Sequence, residues 1–132
     1  MAKYLLDSDV LIWILRNRRD TIELVDQLAQ AGGEPLACST LSVLEILVGA
    51  KPSEISRTAT LLKTMEAIPV DMLIVQQAAE LIKTHQHTKN PRQWIDALIA
   101  ATALDCHLTL VTYNQRDYPY RNLILYPLKA DS

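Results

Sequence analysis

The stretch Tyr4-Leu5-Leu6-Asp7-Ser8-Asp9-Val10-Leu11-Ile12-Trp13-Ile14-Leu15 decides how this fold is read. Three apolar residues end abruptly in acid and hydroxyl side chains, and a second apolar run follows at once. Side-chain oxygens of that kind accept from the free N–H groups of a helix start, so the segment reads as a short strand handing over to a capped helix. Asp9 reads here as a capping residue. The same alternation continues down the chain. Thr21 to Ala31 has helical periodicity and is stopped by Gly32-Gly33. Leu36-Ala37-Cys38 is a second strand, and Thr40 or Ser42 caps a helix that runs to Gly49. Ser53 to Met65 is a further helix, followed by Ile68-Pro69-Val70 as a short strand whose proline suits a sheet edge. Asp71 caps a helix reaching about Gln86, and Pro91 fits the first turn of a helix from Arg92 to Leu104. Leu108 to Thr112 is a strand, Asn114 to Pro119 a turn, and Leu123 to Tyr126 a last strand. Strands separated by helices predict a three-layer α/β/α fold around a parallel sheet of about four to five strands. No repeat and no linker divides the 132 residues, so a single domain over residues 1–132 is expected.

Composition narrows the function classes. With 49 % hydrophobic and 21 % charged residues, the chain has enough apolar material for a core and is no disordered tail. A net charge of −2 excludes nucleic-acid binding by bulk positive charge, so any polyanion must be held by a local patch or through cations. The 2 cysteines, Cys38 and Cys106, stand far apart and read as small core residues of a reducing compartment. No uncharged run approaches the roughly 20 residues of a membrane span. Asp7 and Asp9 fall where a secretory leader needs an apolar stretch. A soluble, cytoplasmic protein is the expectation.

The informative residues are acids. On a helix after Thr40, Leu41, Leu44 and Val48 share a face, and Glu45 falls inside that arc. Asp96 is the only charged residue between Gln93 and Leu104, with Ile99, Ala100 and Ala103 as helical neighbours. Asp7 directly follows a strand that should be buried. An unpaired carboxylate in such surroundings costs several kcal/mol or shifts its pKa, so each needs a base, a set of N–H donors or a metal. Most basic residues sit at helix ends or on polar faces; Arg92, one turn before Asp96, is the exception and could pair with it. The general alternative is Mg²⁺ or Mn²⁺, which take oxygen ligands and keep several waters. In a parallel sheet such groups gather beyond the carboxyl ends of the strands. Asp7, Glu45 and the segment Asn114 to Asp117 all follow strands and point to that rim, where Asp96 can join them.

At this point the motifs resemble those of a known family. Leu5-Leu6-Asp7-Ser8-Asp9, Ser42-Val43-Leu44-Glu45-Ile46-Leu47-Val48-Gly49, Asp96-Ala97-Leu98-Ile99-Ala100-Ala101-Thr102-Ala103 and Leu110-Val111-Thr112-Tyr113-Asn114-Gln115-Arg116-Asp117-Tyr118 are similar to the ordered motifs of PIN domains. A lone domain of this size resembles the VapC-type toxins of type II toxin–antitoxin modules. The resemblance implies a Mg²⁺- or Mn²⁺-dependent endoribonuclease that forms a homodimer and is silenced by a cognate antitoxin. Carried over by position, Asp7, Glu45 and Asp96 are the acidic triad and Asp117 the fourth acid, all catalytic and metal-holding. Ser8, Thr112 and Asn114 support them, and Arg16, Arg18, Arg19, Arg92 and Arg116 are candidates to hold the RNA backbone. The metal would lower the pKa of a bound water and offset charge on the scissile phosphate. Two departures from the family pattern stand out: Trp94-Ile95 before Asp96, and Cys106-His107 where a glycine turn is common.

Plainer readings stand beside these. Asp7 can be a cap, Glu45 a buried ion pair, Asp96 an acid at a helix start, and Asp117 and Asn114 turn residues. His85 and His87 read as a solvated helix end, His107 as a turn or core histidine, and Arg16 to Arg19 as a solvated helix end. Asp7-x-Asp9 after a first strand also suits a haloacid-dehalogenase-like phosphohydrolase with Asp7 as nucleophile, or a receiver-like signalling module. The former needs a cap domain and the latter an acid after the middle strand, for which only Asp71 is available. Neither explains acids on two helices, and a catalytically dead binding module is argued against by the intact acid set.

Overall fold

The computed structural model describes residues 2–33, 35–85 and 90–128. The sheet has four parallel strands: β1 (Tyr4–Leu6), β2 (Leu36–Ser39), β3 (Met65–Ile68) and β4 (Thr109–Val111), in the order β3-β2-β1-β4. Alternation along β1 sends Leu5 to one face and Leu6 to the other, and both are fully buried. Leu5, Ala37 and Leu110 pack with α5 (Met72–Thr84) and α6 (Pro91–Asp105). Leu6, Cys38 and Val111 pack on the opposite side with Val10, Leu28 and Ile46. Those three come from α1 (Ser8–Leu15), α2 (Arg19–Leu28) and α3 (Thr40–Gly49), and α4 (Ile55–Lys63) adds Leu61 to the edge of that layer. Helices on both faces explain why the strands are continuous apolar runs rather than alternating ones. The three-layer α/β/α architecture is thus the one expected.

Local differences from the sequence reading have physical causes. Ser39, the last residue of β2, caps α3 by accepting from Leu41 N at 3.1 Å, so neither Thr40 nor Ser42 is the cap. The helix expected from Ser53 is split: a 3₁₀ turn at Pro52–Glu54 precedes α4, whose last helical residue is Lys63. Strand β3 therefore begins at Met65, three residues before Ile68, and pairs Leu36↔Met65 through Ser39↔Ile68. Pro69, which has no N–H to donate, falls just beyond the ladder, and β3 is an edge strand as expected. Asp71 caps α5 by accepting from Ile74 N at 2.9 Å. The expected end of that helix at Gln86, and His87 of the His-x-His pair, lie outside the described residues. Leu123 to Tyr126 reduces to one parallel bridge, Leu125 with Leu110, flanked by Leu110 N donating to Ile124 O and Tyr126 N to Leu110 O.

Two positive-φ residues close helices. After α6, His107 adopts φ 57°, and Leu108 N donates to Ala103 O at 2.8 Å, a helix stop usually made by glycine. His107 is therefore a turn residue. Asn17 plays a similar part between α1 and α2 at φ 60°. Cys38 is buried in the core, which pushes its thiol up to about 11; both cysteines are free. Among the described residues no helix is long and apolar enough to cross a membrane.

Candidate active site at the carboxyl rim of the sheet

Because all four strands run the same way, the residues after β1, β2 and β4 emerge at one edge. Asp7 follows β1 and caps α1, its Oδ1 accepting from Ser8 N at 2.8 Å. Its Oδ2 accepts from two hydroxyls, Thr112 Oγ1 at 2.9 Å and Tyr118 Oη at 2.7 Å. Thr112 is fully buried just after β4, so these bonds tie the two ends of the chain together. Ser8 Oγ lies 2.9 Å from Ser42 Oγ and 3.2 Å from Glu45 Oε1. Its single proton serves one of them at a time, so Ser8 touches both acids, Asp7 through its backbone N–H and Glu45 through its hydroxyl.

Glu45 reaches the rim, but not for the reason given by helical periodicity. Leu44 and Val48, expected to share its buried face, are 59 % and 78 % exposed. The buried side of α3 is set by Ser42 and Ile46. This helix is apolar on more than one side, and a hydropathy pattern cannot say which side meets the core. Glu45 is half-buried, with Arg92 Nη1 3.7 Å from Oε2.

Asp96 does sit where expected, buried beside Ile99, Ala100 and Ala103. It is the sixth residue of α6 and so lies beyond the first turn, where a helix-start acid would stand. Burial pushes its carboxyl up to about 6; Arg92 opposes this, while Asp7, Asp117 and Glu45 each add to it. The charges of carboxylates from three other segments thus reach Asp96 at this edge. Asp117 itself is exposed, at the end of a 3₁₀ turn over Gln115–Asp117. Asn114 is also exposed, and its N–H donates to Thr112 Oγ1 at 3.1 Å.

Residues 4–121 match the family model described as PIN domain. The chain belongs to the PIN domain family. It is 33 % identical over 116 residues to Ribonuclease VapC10 of Mycobacterium tuberculosis, covering 87 % of this chain and 85 % of that protein. Among solved structures it resembles a toxin-antitoxin complex from Klebsiella pneumoniae, with TM-score 0.78 and 27 % identity, covering 96 % of this chain and 99 % of that one. VapBC2 from Rickettsia felis, bound to a DNA fragment from its promoter, shares the fold at TM-score 0.77 and 23 % identity, covering 93 % and 96 %. Nothing in these likenesses supports a phosphohydrolase or receiver reading of Asp7.

The PIN domain's acids can be tested for their fit to a cation. All the donors are carboxylate oxygens, and their mutual repulsion is opposed only partly by Arg92. Among the described residues, no three acids stand close enough together to form a ligand cage by themselves. Hard oxygen donors of this kind match Mg²⁺ or Mn²⁺, with waters completing a shell that these acids do not close. The residues fit the group.

Three residues of this PIN domain escape the sequence reading as site members. Asp9, read as a cap, instead accepts from Tyr113 N at 2.9 Å across the sheet, as well as from Val10 N at 2.8 Å. Burial, then the charge of Asp7, pushes its carboxyl up to about 6. In the sequence Ser42 reads as a possible helix cap and Tyr118 as part of the Asn114 to Pro119 turn. No local signal distinguishes them, because their partners lie 34 and 111 residues away.

The arginines divide. Arg16 lines a recess of about 50 Å³ together with Glu45, Ile46 and Glu54. Arg92 faces Glu45, while Arg19 and Arg116 are exposed. Arg18 is held elsewhere: its guanidinium stacks 4.9 Å from the Trp13 ring centroid and 4.8 Å from that of Tyr113. It also donates to Asp20 at 2.8 Å, holding that exposed carboxyl below its ordinary value. His85 packs edge-on against Tyr120 with ring centroids 4.8 Å apart, and its Nδ1 lies 3.0 Å from Leu81 O.

Proposed function

We propose that this PIN domain is a Mg²⁺- or Mn²⁺-dependent endoribonuclease, the toxin of a type II toxin–antitoxin pair. The observation that carries it is the arrival of Asp7, Glu45, Asp96 and Asp117 at one rim, where the charges of the other three add to the burial that lifts the Asp96 carboxyl to about 6. The ribonuclease relative and the toxin–antitoxin neighbours supply the substrate and partner classes. On this reading Asp7, Glu45 and Asp96 hold the ion, with Asp117 assisting at the open side. When bound, such an ion supplies the positive charge that a phosphodiester and an attacking water require. Ser8 and Thr112 orient Glu45 and Asp7 through their hydroxyls, and Asn114 steadies Thr112. Burial of Asp7 and Asp96 keeps water from screening the charges they present. Arg16 and Arg92, flanking Glu45, grip the RNA backbone, with Arg19 and Arg116 further out.

A cavity of about 670 Å³ between α1, α2 and α4 includes none of these acids. Leu44, Leu47 and Val48 leave an apolar stripe of α3 in water, available to the second copy of a homodimer or to the cognate antitoxin. The reading places the protein in the cytoplasm, with its RNA.

The test is direct. Purified protein should cleave single-stranded RNA in Mg²⁺ or Mn²⁺, stop in EDTA, and recover when metal is restored in excess; Asp7→Asn should stay inactive in either metal. Cleavage indifferent to EDTA would refute the proposal. The arginines offer a second check. Arg18→Ala should cost about 1 kcal/mol of stability through lost stacking, read by thermal melting, and leave KM for RNA nearly unchanged. Arg92→Ala should raise that KM several-fold, as loss of a phosphate contact does.

A further inference from the structure

Tyr118 follows the 3₁₀ turn that carries Asp117, and the hydrogen bond from its N–H to Gln115 O at 3.1 Å closes that turn. Its ring is only 3 % exposed and packs in the core cluster that contains Ile99 and Ala100 of α6. From there its hydroxyl donates to Asp7 Oδ2 at 2.7 Å, the shortest of the three hydrogen bonds Asp7 accepts. A carboxylate offers about four acceptor positions. Thr112 and Tyr118 fill those of Oδ2, and Ser8 N fills one of Oδ1. One position, on Oδ1, is left.

We infer that Tyr118 is a positioning residue: its hydroxyl locks the Asp7 carboxylate so that a single oxygen, Oδ1, is offered to a divalent cation. The inference rests on the proposed role of Asp7 as a metal ligand. A phenylalanine would fill the same space in the core, so packing alone does not call for the hydroxyl. The hydroxyl is the part that reaches the acid. The same bond joins the first acid to the turn bearing the fourth, so one group sets the placement of both.

Mn²⁺ titration of the full chain, followed by the electron paramagnetic resonance of the free ion, separates the possibilities. Wild type, Tyr118→Phe and Asp7→Asn are compared, each with a thermal melt in EDTA. Tyr118→Phe should bind Mn²⁺ about tenfold more weakly, the usual loss when a group supporting a ligand from behind is removed. Its metal-free melting should stay close to that of wild type, and Asp7→Asn should bind no Mn²⁺ at the site. Unchanged Mn²⁺ affinity in Tyr118→Phe, with Asp7→Asn still defective, overturns the inference and leaves the metal reading standing. A wild type that binds no Mn²⁺ overturns both. A Tyr118→Phe chain that loses its melting transition assigns the hydroxyl to the fold and likewise overturns the inference.

Discussion

Replacing Asp96 by Asn should abolish RNA cleavage and, in the absence of metal, make the protein more stable. The two effects have one cause. Burial and the charges of Asp7, Asp117 and Glu45 lift the Asp96 carboxyl to about 6 from an ordinary value of 3.8, and the Arg92 guanidinium does not cancel this. At neutral pH the group is nevertheless ionised, and every tenfold gain in a carboxylate's proton affinity reflects about 1.4 kcal/mol of disfavoured charge. Keeping Asp96 ionised therefore costs the metal-free fold on the order of 2–3 kcal/mol. Asparagine has the same shape and no charge. Even if half the gain is lost to an imperfectly paired amide, the melting temperature should rise by several degrees in a chain of this length. Cleavage should fall by more than about 100-fold, beyond the loss expected for a merely supporting group. Calorimetry in EDTA and a single-turnover cleavage assay on the same preparation check both halves. A structural Asp96 would behave the other way, with stability falling on substitution.

The metal-free protein should also grow more stable as the solution is made mildly acidic, the reverse of the usual carboxylate behaviour. Asp9 and Asp96 both have carboxyls raised to about 6 in the fold, against 3.8 in the unfolded chain. Between roughly pH 4 and pH 6 the folded state then binds more protons than the unfolded state, so stability falls as pH rises through that window. The stabilisation is complete below the unfolded value and lost above the folded one. Melting in EDTA should accordingly occur at higher temperature at pH 5.5 than at pH 7.5. Saturating Mn²⁺ should reverse the order, because the ion replaces the protons and its binding releases them. In Asp96→Asn the metal-free slope should shrink to the share due to Asp9. A metal-free melting temperature that drops steadily with acidification across this range contradicts the account.

Much of this architecture is written locally. The Leu5-Leu6-Asp7-Ser8 junction reads as strand, cap and helix because each step uses residues within hydrogen-bonding reach along the chain. Asp71 before α5 and Pro91 in the first turn of α6 are equally short-range and equally legible. Asp96 stands out because one charge among alanines and isoleucines has no bland place on a core helix. Boundaries are less readable where two signals compete. Pro69 draws the expected strand toward itself, while the parallel register with β2 puts the strand just ahead of it.

By itself, the sequence determined the alternation of strands and helices, the rim at which loops collect, and four acids spaced along the chain in separate segments. Tertiary structure alone decided which face of α3 turns inward, that Asp9 reaches the backbone of Tyr113, and that Tyr118 and Thr112 share one oxygen of Asp7. The division follows from distance along the chain. Periodicity and capping act over a few residues, whereas a hydrogen bond across 111 residues exists only once the sheet has closed and fixed both partners.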